Sequence, residues 1–138
     1  SNYIDSPNTP LYPFGHGLSY TTFEYSEIKL SNNKVRESEI LKVSSIITNT
    51  GEYDGHEVVQ LYIHDKVASI TRPVKELKDF KKIFLRKGES KTVTFEINSD
   101  DLKFYNNGKL TIESGEFEIA ISGTSDFEFN KTFNLTLN

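Results

Sequence analysis

Histidine is the first place to look for chemistry in this chain, and it occurs only at His16, His56 and His64. His56 and His64 share parity within one expected strand and so point to one face. Eight residues at roughly 3.3 Å each hold them about 26 Å apart, too far for one metal ion to bridge. Both read as residues at strand ends. Cysteine is absent, which excludes a thiol nucleophile, a disulfide framework and any Cys-containing zinc or iron–sulfur site. Carboxylates are plentiful, and a glycosidase needs two of them flanking a cleft. Glu113, Glu116, Glu118, Asp100 and Asp101 could be nominated on number alone, but they fall in turns or at outward strand positions, where acids serve solubility. No serine sits in a Gly-x-Ser-x-Gly elbow. The glycines of Phe14-Gly15-His16-Gly17-Leu18 lack the preceding strand and the six-residue spacing of a dinucleotide loop. They suggest a backbone that must pass close to something, inside this chain or outside it. No constellation calls for a cofactor or a metal.

The 138 residues carry a net charge of -4. That length makes one domain, able to bury roughly two-thirds of its unfolded surface. Charge is uneven. Between Arg72 and Lys91, eight basic residues stand against three acidic ones, a local +5 that leaves -9 for the remainder. A basic stretch invites a nucleic-acid reading. These lysines, however, alternate with Leu77, Phe80, Ile83 and Leu85, the pattern of a solvated strand face or a guarded sheet edge, so no nucleic-acid partner is expected. No apolar run approaches the roughly 20 residues of a membrane span. Ser1-Asn2 has the form of a tag-cleavage scar, and residues 1–9 read as a connector ahead of a domain at 10–138 whose first part, 10–22, is a lead-in segment. An excised piece of a longer protein is expected. Compartment is not written in this composition; a periplasmic or secreted parent is the expectation.

The elements that would position these residues are strands. Alternation of apolar and polar residues recurs in short, turn-bounded segments, and helical periodicity is nearly absent. Strands are expected at Phe23 to Leu30, with a change of face inside; Ile40 to Thr48, with Leu41, Val43, Ser45 and Ile47 on one side; and His56 to His64, with Val59, Leu61 and Ile63 together. Asn49-Thr50-Gly51 reads as a turn tolerant of positive φ. Leu77 to Leu85 is irregular, because Phe80 and Phe84 oppose Ile83 and Leu85 in parity; either a bulge near Asp79 resets the register or both faces are covered. Thr92 to Ile97 alternates cleanly. Ser99 to Leu102 suits one capped helical turn ending in Phe104-Tyr105. Asn107-Gly108 signals a tight hairpin leading into Leu110-Thr111-Ile112, and Glu116 to Ser122 and Thr132 to Leu137 complete the set. Seven to eight strands imply an all-β fold, a two-sheet antiparallel β-sandwich of fibronectin type III or immunoglobulin type.

Four segments carry a resemblance: Pro10-Leu11-Tyr12-Pro13-Phe14-Gly15-His16-Gly17-Leu18-Ser19-Tyr20-Thr21-Thr22-Phe23; Thr48-Asn49-Thr50-Gly51 leading to Gly55-His56-Glu57-Val58-Val59-Gln60-Leu61-Tyr62; Arg72-Pro73-Val74-Lys75-Glu76-Leu77-Lys78 running on to Gly88-Glu89; and Asp101-Leu102-Lys103-Phe104-Tyr105 with Gly115-Glu116-Phe117-Glu118 beyond. In order and spacing they resemble the fibronectin type III-like domain that closes many family 3 glycoside hydrolases, typically β-glucosidases. Asp79 stands where that family usually has glycine. The resemblance implies a retaining parent enzyme that cleaves terminal non-reducing β-glycosidic bonds, with its aspartate nucleophile and glutamate acid/base on other domains. It transfers no catalytic residue here. The partners it implies are the catalytic domains of the same parent chain. Phe14, Gly15, His16, Gly17, Leu18 and Tyr20 are expected to lie against those domains, with Phe80 and Phe84 as further anchors, because buried aromatics dominate such interfaces. The bland alternative is that Phe14 and Tyr20 plug one end of the sandwich. Two other classes stay open, a carbohydrate-binding β-sandwich module and an immunoglobulin-like adhesive repeat.

Overall fold

The computed structural model describes residues 20–66 and 74–137. The connector, Phe14 to Leu18 of the lead-in segment, and Arg72-Pro73 lie outside them. Among the described residues eleven strands form: β1 (Phe23–Tyr25), β2 (Lys29–Leu30), β3 (Lys34–Arg36), β4 (Leu41–Asn49), β5 (Gly55–Asp65), β6 (Glu76–Leu85), β7 (Ser90–Ile97), β8 (Phe104–Asn106), β9 (Lys109–Thr111), β10 (Gly115–Ser122) and β11 (Lys131–Thr136). In one sheet β4 pairs with β7 along one edge and with β1 and β2 along the other. The second sheet has the order β3-β11-β10-β5-β6. The all-β sandwich is therefore as expected. It is antiparallel except where β3 runs parallel to β11.

Alternation explains the core. Leu41, Val43 and Ile47 of β4 and Val93, Phe95 and Ile97 of β7 face Val59, Leu61 and Ile63 of β5, Phe117 and Ile119 of β10, and Phe133 and Leu135 of β11, in one buried cluster. Each such side chain contributes about 1.5–3 kcal/mol of transfer free energy by leaving water. Phe117 and Phe133 lie directly opposite each other in the β10–β11 ladder, and their rings stack 5.3 Å apart.

The structure differs from the sequence reading at three places. The first strand is broken at Ser26–Ile28, because the Ser26 hydroxyl accepts from the Ile46 amide at 2.8 Å, a side chain standing in for a ladder rung. β3 was not legible: three residues with only Val35 buried carry no periodicity, and its partner β11 lies about a hundred residues on. The expected helical turn is a 3₁₀ turn, Ser99–Leu102, capped by Asn98, and Phe104-Tyr105 leave it as strand β8. The β8–β9 hairpin closes on Asn107 (φ 53°) and Gly108 (φ 80°), the two left-handed residues of a type I′ turn. Gly108→Ala should destabilise by about 1–2 kcal/mol through backbone conformation alone, since nothing lies within 4 Å of the added methyl. Urea unfolding of the purified domain measures it.

Candidate interaction surface

β6 is the edge strand of its sheet, which accounts for its lysines. The expected bulge is present: Leu61 pairs with Asp79 but Tyr62 pairs with Leu77, leaving Lys78 as the extra residue. It is made without positive φ at Asp79, whose carboxylate accepts from the next amide, that of Phe80, at 2.8 Å. The bulge brings Leu77 onto the face that carries Phe80 and Phe84. That face points away from the core, whereas Ile83 and Leu85 point into it. The parity conflict is thus real: the strand is apolar on both sides.

The outer face of the second sheet is covered on one half and open on the other. Over β5 and β10, the chain after Ser122 folds back. Phe127 packs on Tyr62 at 4.9 Å between ring centroids, Phe129 stacks on His64 at 6.3 Å, and the two phenylalanines meet edge to face. The Lys75 ammonium sits 4.4 Å from the Phe127 ring centroid and donates to the Ser125 carbonyl. Tyr62 is buried as a result. Over β5 and β6 there is no such cover among the described residues. Leu77, Phe80, Phe84 and Val58 are 49%, 60%, 42% and 39% exposed. His56, opposite Phe84 in the ladder, packs its ring on it at 4.9 Å. Of the two histidines, His56 is an exposed strand-end residue as expected, and His64 is half-buried under Phe129.

A second constellation fixes where the lead-in segment joins the sandwich. Asn49 is fully buried. Its amide NH₂ donates to the carbonyls of Tyr53 (2.8 Å) and Leu85 (3.0 Å), and its carbonyl accepts from the Thr21 hydroxyl (2.7 Å) and the Gly51 amide (3.0 Å). Gly51 is needed for space, not for the positive φ expected of this turn: a Cβ there would stand 1.9 Å from the Thr21 hydroxyl oxygen and 2.6 Å from the Thr22 nitrogen. Tyr20, half-exposed, emerges beside this corner, and the same corner holds the end of β6 through Leu85. Of the expected interface residues, Phe80 and Phe84 therefore share one exposed face and Tyr20 is exposed; Phe14 to Leu18 lie outside the described residues.

Sequence reasoning passed over Glu57. Its carboxylate accepts from the Tyr25 hydroxyl at 2.8 Å, tying β1 to the opposite sheet, and from the Val58 amide at 3.2 Å. Burial pushes it up to about 7, against the pull of these two donors. Burial, then the nearby Glu57 charge, raises Tyr25 as well. Gly123 closes over the pair, where a Cβ would come within 2.4 Å of the carboxylate. A carboxyl near 7 has the acidity of a general acid, yet both of its oxygens are engaged by the chain's own donors. It is a clasp between sheets. Three of the acids nominated from sequence hold local structure. Asp101 accepts from the Asn98 amide at 2.9 Å, Asp100 pairs with Lys103 at 2.8 Å, and Glu116 pairs with Lys66 at 3.3 Å. No group of three potential ligands among the described residues could hold a metal ion.

The fibronectin type III-like domain family matches residues 57–125. A putative β-xylosidase of Formosa agariphila is 48% identical over 131 residues, covering 94% of this chain and 17% of that protein. A periplasmic β-glucosidase of Salmonella typhimurium is 48% identical over 122 residues, 88% of this chain and 16% of its own. Among solved structures, a β-glucosidase from Erythrobacter marinus superposes with a TM-score of 0.80 at 40% identity, over 99% of this chain and 18% of that one. A Listeria innocua β-glucosidase in complex with gluconolactone gives 0.74 at 40% identity, over 98% and 19%. The chain thus spans less than a fifth of the relatives it matches. It belongs to the fibronectin type III-like domain family, in the form that family 3 glycoside hydrolases carry.

Proposed function

We propose that this chain is a non-catalytic accessory domain, C-terminal in a β-glucosidase-like parent, and that it packs on and stabilises the catalytic domains. The parent would hydrolyse terminal non-reducing β-glycosidic bonds with retention. The observation that carries the reading is the open half of the outer face, where Val58, Leu77, Phe80 and Phe84 form an apolar patch while the chain's own aromatics cover the other half. Soluble domains seldom leave such patches without a partner. The end of the lead-in segment, anchored through Thr21 on Asn49 next to the end of β6, is the second support, since it holds the exposed Tyr20 beside that corner.

Phe80→Ser with Phe84→Ser in the full-length parent tests it. Both side chains are exposed, so the sandwich core is untouched; the expected result is a melting temperature lower by about 5 °C or more and faster loss of glycosidase activity on heating. An unchanged melting temperature would overturn the docking role. The shallow cleft of about 320 Å³ lined by Tyr25, Ser26, Glu27, Phe127, Glu128 and Asn130 is where a carbohydrate-binding module would hold a glycan. Millimolar or tighter binding of cello- or xylo-oligosaccharides by calorimetry would favour that module instead.

A further inference from the structure

Lys82 lies in the middle of the open face. It alternates outward between Phe80 and Phe84 and stands directly opposite Val58 in the β5–β6 ladder. Its lysine neighbours are spent within the domain. Lys75 caps Phe127, Lys78 pairs with Glu76, Lys81 crosses the sandwich edge to the Thr94 carbonyl and the Phe95 ring, Lys87 pairs with Glu52, and Lys91 donates to the Phe84 carbonyl. The Lys82 ammonium has no hydrogen bond or ion pair among the described residues. An ammonium in the centre of an apolar patch is harmless while the patch is wet. Once the patch is covered, an unpaired ammonium would be desolvated at a heavy cost.

Resting on the docking reading above, we propose that Lys82 sets the polarity of that surface by pairing with a carboxylate presented by the adjoining catalytic portion of the parent chain. The partner surface is thus apolar with an acidic residue at its centre. Charge supports this occupant. From Lys75 to Lys91 the described chain has seven basic residues against three acidic ones, in a protein whose net charge is -4, so β6 and the turn after it present a positive field to whatever docks. Complementary charge at such a position selects the partner and rejects a like-charged one.

The test uses the full-length parent carrying Lys82→Glu, Lys82→Met or Lys82→Arg, with melting followed at low and high salt. Lys82→Glu should lower the melting temperature by about 5 °C or more at low salt and clearly less at about 0.5 M salt. Lys82→Met, which keeps the stem and removes the charge, should fall between Lys82→Glu and wild type, and Lys82→Arg should stay near wild type. Hydrogen exchange at the β6 amides should speed up in the same order. Lys82→Glu behaving no worse than Lys82→Met would overturn the pairing. If the Phe80→Ser, Phe84→Ser pair lowers the melting temperature and no Lys82 variant does, docking stands and the carboxylate partner falls. If neither set has an effect, both readings fall.

Discussion

Asn49→Ala is expected to destabilise the domain by about 3 kcal/mol and to lower its melting temperature by about 10 °C. Alanine strands the carbonyls of Tyr53 and Leu85, the Gly51 amide and the Thr21 hydroxyl, which Asn49 satisfies from a fully buried position. Each buried group left without a partner costs about 1–3 kcal/mol, reduced where water can enter. The geometry also excludes the conservative replacement. An aspartate at this position would keep acceptors for Thr21 and Gly51 but turn an oxygen towards two carbonyls, so Asn49→Asp should be at least as damaging as Asn49→Ala at neutral pH. Thermal unfolding followed by circular dichroism decides it; a loss below about 1 kcal/mol for alanine would show that the corner is not held through this side chain. The loss would also loosen the link between Thr21 of the lead-in segment and Leu85 at the end of β6, both of which Asn49 holds.

The same corner shows what was legible in the sequence. Thr48-Asn49-Thr50-Gly51 is visible as a strand stop, and local chemistry gives no more than that. That Asn49 is buried, and that Gly51 is small because Thr21 crosses it, depends on contacts about thirty residues away along the chain. Strands with a wet face and a dry face, β4 and β7, are readable because period-2 alternation records which side is buried. β6 is harder for the opposite reason: a strand apolar on both faces carries no such record, and the Lys78 bulge shifts parity partway along it. That two-sided character leaves Phe80 and Phe84 exposed on the outer face, which is the observation the proposed docking role rests on. Glu57 escaped notice because a single Glu inside Gly55-His56-Glu57-Val58 resembles any polar strand residue; only the crossing of β1 from the other sheet, and the missing Cβ of Gly123, enclose its carboxyl.

Burial of that carboxyl gives the domain a pH dependence opposite to that of ordinary acidic residues. Glu57 titrates near its usual 4.5 when unfolded and at about 7 when folded. Between these values the folded state holds a proton that the unfolded state has released, so stability falls as pH rises. The contribution is fully present below pH 4.5, declines across the interval, and is gone above about 7. At about 1.36 kcal/mol per pH unit, the full span is worth up to about 3 kcal/mol. Glu57→Gln removes the titration, and the difference between its stability and that of the wild type should therefore vary by up to that amount from about pH 4.5 to pH 8, in favour of the variant at the alkaline end. Tyr25→Phe separates burial from hydrogen bonding. The Tyr25 hydroxyl donates to the carboxylate and holds its pKa down, so without it the decline should extend to higher pH. Urea unfolding of the three proteins at half-unit pH steps measures both effects. Parallel profiles for wild type and Glu57→Gln would mean that the carboxyl is ionised in the folded domain throughout this range, and that β1 is clasped by a charged hydrogen bond.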